Sequence, residues 1–168
     1  ARSLLGRTYD DAGEAHQALA VYAKLLYFYP GSDERGAALE ALRAIVGRVK
    51  VYQDQRPRLE RALGEAGGAG SRADRHYAYL DFLSKLDAAH LHVRLLAECD
   101  EFTRAYPLDS RLPHLDLWIA VSWANKGASL ESAQAFRKFE TLYPNDPSLP
   151  YARYTHAELL SRELGGHQ

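Results

Sequence analysis

Apolar positions recur three and four residues apart through almost the whole chain, which is the spacing of helices that bury one face. Residues 115–147 show it most clearly. Leu115, Trp118, Ile119 and Ser122 stand at i, i+3, i+4 and i+7, and Ala133, Phe136, Phe139 and Tyr143 form a second stripe after Lys126-Gly127. Pro144 ends that second helix, because it has no N–H to donate and its ring clashes with the preceding turn. Asp146-Pro147 then opens another helix as cap and first helical residue. Two amphipathic helices joined this tightly cannot bury both apolar faces alone, so the pattern predicts neighbours of its own kind.

The same punctuation recurs. Tyr-Pro stands at 29–30, 106–107 and 143–144, the last two 37 residues apart and the first two 77 apart, and each is followed by a small acidic or hydroxyl residue able to cap a helix. Between these marks the stripes predict a helix over 14–29 with Ala15, Ala18, Leu19, Tyr22, Leu25 and Leu26 inward, and one over 33–52 with Ala38, Leu42, Ile45, Val49 and Tyr52 inward. A short, weakly apolar helix follows over 58–66, carrying Leu59, Ala62, Leu63 and Ala66. Helices over 72–87 (Tyr79, Leu80, Leu83, Leu86) and 91–106 (Leu95, Cys99, Phe102) come next, and a last one runs to Leu164 with Arg153, His156, Arg162 and Glu163 outward. No strand alternation appears. The reading is an all-α chain of eight or nine antiparallel helices in one domain over 1–168. Its repeats span about 1–30, 31–67, 71–107 and 108–144, a capping helix covers 147–164, and Tyr29, Tyr106 and Tyr143 pack at the junctions. Residues 67–70, Gly-Gly-Ala-Gly, read as a flexible linker between two halves.

In the first repeat Leu5-Gly6, Tyr9, Gly13, Ala18, Tyr22 and Pro30, and in the fourth Ile119-Ala120, Trp123, Gly127, Ser132, Phe136 and Pro144, fall in one register. These residues resemble the tetratricopeptide repeat family; the second and third repeats keep the apolar rhythm without the glycines. The period exceeds the family's usual length of roughly 34 residues. Long repeats ending in Tyr-Pro look like the subgroup found in bacterial envelope proteins, such as barrel-assembly lipoproteins. The resemblance implies a right-handed α–α superhelix whose first helices line a groove for a partner. It places Ser3, Arg7 and Asp10 of the first repeat, Tyr77, Leu80 and Ser84 of the third, and His114, Leu117, Val121 and Asn125 of the fourth toward that groove. It also implies a periplasmic or outer-membrane-associated setting, with a cytoplasmic one open.

Composition narrows the chemistry. The hydrophobic content of 46% supports a continuous core, and the net charge of −1 gives no reason to expect nucleic acid. Residues 35–75 nevertheless hold nine Lys/Arg against five Asp/Glu. Arg43 and Lys50, seven apart, share a predicted face there, with Arg56, Arg58 and Arg61 close behind. One cysteine excludes an internal disulfide, and Cys99 on an apolar stripe reads as a buried small hydrophobe. No apolar run is long enough to span a bilayer. The chain opens on Ala1 and has no methionine, which places an initiator outside it and leaves room for a signal or lipid-attachment segment before residue 1.

Seven histidines raise the question of metal or acid–base chemistry. His90 and His92, like His114 with Asp116 and His156 with Glu158, lie two apart and so point to different sides of a helix. Glu98 with Glu101, and Asp10 with Glu14, read as solvated faces. No phosphate loop, nucleophile elbow or HExxH occurs. The expectation is a non-enzymatic chain with no catalytic residue, metal or cofactor, binding another protein or peptide segment. An anionic polysaccharide is the alternative partner, with aromatic and basic side chains stacking on sugars and pairing with uronates.

Overall fold

The computed structural model describes residues 2–86 and 88–165. They form ten helices: α1 (Arg2–Asp11), α2 (Ala15–Phe28), α3 (Arg35–Arg48), α4 (Lys50–Gln53), α5 (Arg56–Glu65), α6 (Arg72–Ser84), α7 (Ala88–Ala105), α8 (Leu112–Asn125), α9 (Ser129–Leu142) and α10 (Leu149–Gly165). Among the described residues there is no strand, and helices pack in adjacent pairs: an all-α helical-repeat fold. The chain divides into two compact units, Ala1–Leu91 and His92–Gln168, a division that falls inside α7.

The first unit is built around α2, which packs against α1, α3 and α6. Ala18 through Ala23, together with Leu25, Leu26 and Tyr27, are all buried, a wider surface than one stripe. A helix apolar on every side belongs inside a fold. Tyr79 of α6, itself 0% exposed, donates its hydroxyl to the Ala20 carbonyl at 3.1 Å, so its one polar atom is satisfied in the core. In the second unit Leu117 and Ala120 of α8, Phe136 and Phe139 of α9, and Leu149 and Ala152 of α10 form the core. Leu95, Cys99 and Phe102 face inward on α7, as their spacing predicts.

Two helical hairpins repeat each other at a separation of 114 residues. Gly13 and Gly127 have φ of +79° and +77°, the left-handed conformation that a two-helix turn requires and glycine adopts without steric cost. The turns close with the same bonds, Glu14 N–H to the Tyr9 carbonyl at 2.8 Å and Ala128 N–H to that of Trp123 at 3.1 Å. Both second helices end alike, with φ and ψ of −129° and 61° at Tyr29 and −126° and 58° at Tyr143.

The three Tyr-Pro junctions are also copies. The N–H groups of Ser32, Asp109 and Asp146 each donate to the carbonyl of the preceding tyrosine at 3.1 Å. The side chains of those three residues then accept from the N–H two positions on, in Glu34, Arg111 and Ser148. These are Asx- and Ser-type turns before the helix, not caps on its first residue. For that reason α10 begins at Leu149 and not at Pro147. The tyrosines differ in packing: Tyr106 and Tyr143 are half-buried on Phe102 and Phe139, whereas Tyr29 is 40% exposed.

Three expectations change. The helix predicted over 33–52 breaks at Val49, whose extended backbone (φ −94°, ψ 112°) separates α3 from α4. The bend turns Tyr52 fully inward, where its hydroxyl meets Nδ1 of His16. His156, expected outward on the last helix, is buried, because it lies four residues after Ala152 on the same stripe. It bonds Oε1 of Glu140 at 2.8 Å and stacks on Phe136; Tyr151 and Tyr154 are the exposed side chains instead. Residues 67–70 lie within the first unit and are held by contacts their composition does not suggest. Arg35 donates to the carbonyls of Leu26 and Ala66, both at 2.9 Å, and Gly67 (φ +76°) approaches the Leu26 carbonyl so closely that a β-carbon would stand 2.7 Å from it. Ser71 and Asp74 form a capping box that starts α6 immediately afterwards.

Candidate functional site

The residues proposed for a groove separate into surface and core. In the first unit Arg7 is exposed on α1, and Asp10 is ion-paired with Arg48 of α3. That pair links the C-terminal ends of the two first helices. Ser3 lies on α1, and its side chain falls outside those described. Arg43 and Lys50 do not share a face: the break at Val49 interrupts their register, and Arg43 turns to Glu60 of α5 at 3.2 Å while Lys50 is exposed on α4. On α6, Tyr77 is half-buried, Ser84 donates to the Asp81 carbonyl at 2.9 Å, and Leu80 is 0% exposed. In the second unit His114 and Asn125 are exposed on α8, Val121 is half-buried against the core cluster, and Leu117 is part of that cluster. Leu80 and Leu117 are thus packing residues, because the apolar stripe of a first helix is claimed by its neighbours within the unit before any ligand.

Arg48 is the surface residue that sequence reading missed. It occupies the α3 edge beside α1, and that edge carries Ala37, Ala41 and Ala44 at i, i+4 and i+7, with Ala37 and Ala44 exposed. Small side chains at these exposed positions leave the backbone of α3 open to close approach by another chain. Nothing in the sequence pairs Asp10 with a residue 38 positions away, so only the fold shows this face.

The basic character of residues 35–75 is realised elsewhere in the first unit. A cleft of about 260 Å³ lies between α5 and α6 above the end of α2. Leu59, Ala62, Ala78 and Phe82 line it, with Tyr27 at its base, where the phenol packs 5.8 Å from Phe82 and donates to the Ala62 carbonyl at 3.2 Å. Burial pushes the Tyr27 phenol well above its ordinary range, with Asp81 and Glu65 adding to the effect. Arg58, Arg61 and Lys85 stand at one end; Lys85 is paired with Asp81, and the two arginines are exposed on α5. Toward Glu65 the cleft runs on into a second hollow bounded by residues 67–69, Asp74 and Arg75.

The polar groups buried in the second unit are structural in their geometry. His92 bonds Ser122 Oγ at 2.8 Å through Nδ1 and meets the Trp123 ring edge-on at 4.1 Å. Burial lowers its pKa, helped by Lys126. Both members of this His–Ser pair are 2% exposed, so no substrate reaches the hydroxyl. Cys99 is also buried, and desolvation lifts its thiol to about 12, with Asp116 and Glu98 adding to the effect; it is not a nucleophile. Asp116 accepts from Lys138 at 2.6 Å and from the Tyr143 hydroxyl at 2.8 Å, tying α8 to α9, and burial with that bond raises Tyr143 to about 12. Glu98, read as solvated, is 6% exposed, because Leu91, Leu95, Glu98 and Phe102 form one inward stripe.

Taken together, the accessible features are a polar first-helix face and a basic-edged cleft in the first unit, and exposed His114, Asn125, Tyr151 and Tyr154 in the second. Comparison with protein-family models, with curated proteins and with solved structures finds no match to this chain.

Proposed function

We propose that this chain is a non-enzymatic helical-repeat module of the tetratricopeptide kind, holding a segment of another protein on the exposed face of its first helices, within a bacterial cell-envelope or assembly complex. The observation that carries the reading is the Asp10–Arg48 pair. It links the C-terminal end of α1 to that of α3, so the exposed Arg7 of one helix and the exposed Ala37 and Ala44 of the other belong to first helices joined by a charged pair. Such a surface suits a peptide backbone better than a compact small molecule, which needs a concave, enclosing pocket. The resemblance of the two hairpins to tetratricopeptide repeats supports the assignment, and the envelope setting rests on that resemblance alone.

The test is capture of a partner from cells of the source organism by the wild-type chain and by a variant carrying Arg7→Glu and Ala44→Tyr. Both substitutions lie at exposed positions and leave the core intact. The expected result is at least a tenfold loss of the captured partner. Capture unchanged in that variant, with its melting curve also unchanged, contradicts the assignment of the face.

A second reading is favoured by α10, where Tyr151 is 54% and Tyr154 is 68% exposed, three residues apart. Exposed phenol rings are stacking platforms for sugars, so a polysaccharide partner is the alternative. Retention of the chain on an alginate column, lost in Tyr151→Ala with Tyr154→Ala, would replace the protein partner with this one.

A further inference from the structure

We propose that the cleft between α5 and α6 is a separate docking site, distinct from the first-helix face, for a partner-protein segment carrying one large apolar side chain beside acidic residues. The floor sets the first requirement. Leu59, Ala62, Ala78 and Phe82 line a cavity of about 260 Å³, which is room for a single bulky apolar side chain. The Tyr27 hydroxyl is already bonded to the Ala62 carbonyl. The base therefore presents little free polarity to a ligand.

Charge sets the second requirement. Arg58 and Arg61 lie three apart on the exposed edge of α5, and among the described residues neither has a carboxylate partner, whereas Arg43 and Arg48 of the same unit are both paired. Lys85 at the same cleft is already paired with Asp81, so the two arginines supply its unpaired positive charge, and Glu65 and Asp74 lie toward the second hollow. A segment lying along the cleft is thereby oriented, with its acidic residues toward Arg58 and its apolar side chain between the helices. Charge so placed acts on association rate and specificity, and the apolar cavity supplies the anchor. A polyuronate would satisfy the arginines and leave the cavity empty.

The experiment pans a phage-displayed random dodecapeptide library on the full chain and measures the enriched peptides by fluorescence anisotropy. The expected consensus is a Leu, Ile, Phe or Trp flanked by Asp or Glu. Affinity should fall at least tenfold in Arg58→Glu with Arg61→Glu and in Ala78→Trp, which fills the cavity. Affinity should hold in Arg7→Glu with Ala44→Tyr, so failure here is distinguishable from failure of the first-helix assignment. The two charge reversals are at exposed positions and keep the test valid if Ala78→Trp unfolds. A consensus lacking acidic residues overturns the proposal, as does affinity indifferent to the arginine reversals. Alginate oligosaccharide binding at the cleft in place of peptides overturns it as well.

Discussion

Gly6 of α1 lies directly beneath the ring of Tyr22 on α2, so close that a β-carbon at position 6 would stand 2.6 Å from the ring Cε1. The helices of the first hairpin approach at that point because nothing separates backbone from ring. Gly6→Val should therefore destabilise the chain by about 1–3 kcal/mol through overpacking, measured by urea unfolding. In the second hairpin Ala120 and Phe136, both buried, occupy the corresponding positions, so the small-residue requirement is shared.

Gly13 and Gly127 test the equivalence of the two turns. Each has a positive φ and open space around its α-carbon, so a methyl group meets no neighbour and only the backbone preference opposes it. Gly13→Ala and Gly127→Ala should each cost roughly 1–2 kcal/mol. The prediction lies in the match: costs differing by more than about 1 kcal/mol in urea unfolding would show that the hairpins are not built alike.

His92 gives the chain a pH dependence of defined sign. Burial holds the folded-state pKa below the ordinary value of 6.5, so the unfolded chain binds a proton more readily. Stability from this group is whole above about pH 6.5 and is lost as pH falls toward the folded pKa. His92→Gln should flatten the slope of stability against pH between 5 and 7. The Asp109 carboxyl, held low mainly by its hydrogen bond to Arg111, acts in a separate window: its contribution is present above the ordinary carboxylate pKa and is lost under stronger acid. A slope unchanged in the histidine variant would place the titration elsewhere.

Arg35 holds residues 67–70 to the end of α2 through the carbonyls of Leu26 and Ala66. Removing it leaves two part-buried acceptors without their donor, a cost of about 1–3 kcal/mol. Arg35→Met should increase the rate of thermolysin cleavage near 67–70 well above wild type. Equal rates would mean that the glycines, not the arginine, govern access there.

The sequence made the local chemistry legible and concealed the long-range contacts. Both turn glycines and the three Tyr-Pro breaks could be read directly, from left-handed φ at glycine and a lost donor at proline, whereas Ser32, Asp109 and Asp146, read as caps, accept within turns that precede the helix. The break at Val49 could not be read. The stripe from Ala38 to Tyr52 is continuous in sequence, and the bend goes with the burial of Tyr52 against His16, 36 residues away. His156 and Glu98 were misplaced outward because polar residues on an inward stripe need a partner that sequence does not name. Among the groove residues that the resemblance supplied, Arg7, His114 and Asn125 are exposed, whereas Leu80 and Leu117 fall on the stripe the core uses. Arg48, which pairs with Asp10 of α1, becomes visible only with the fold.

The most direct test of the central claim, that the first-helix face holds a partner protein, is site-specific photo-crosslinking in cells of the source organism. A benzophenone amino acid is placed in turn at exposed Arg7 and Ala44 on the face, and at exposed Gln134 and Arg137 on α9 as controls. One adduct of defined mass is expected from positions 7 and 44 and none from 134 and 137. Adducts formed only from the α9 positions, or equally from all four, would contradict it.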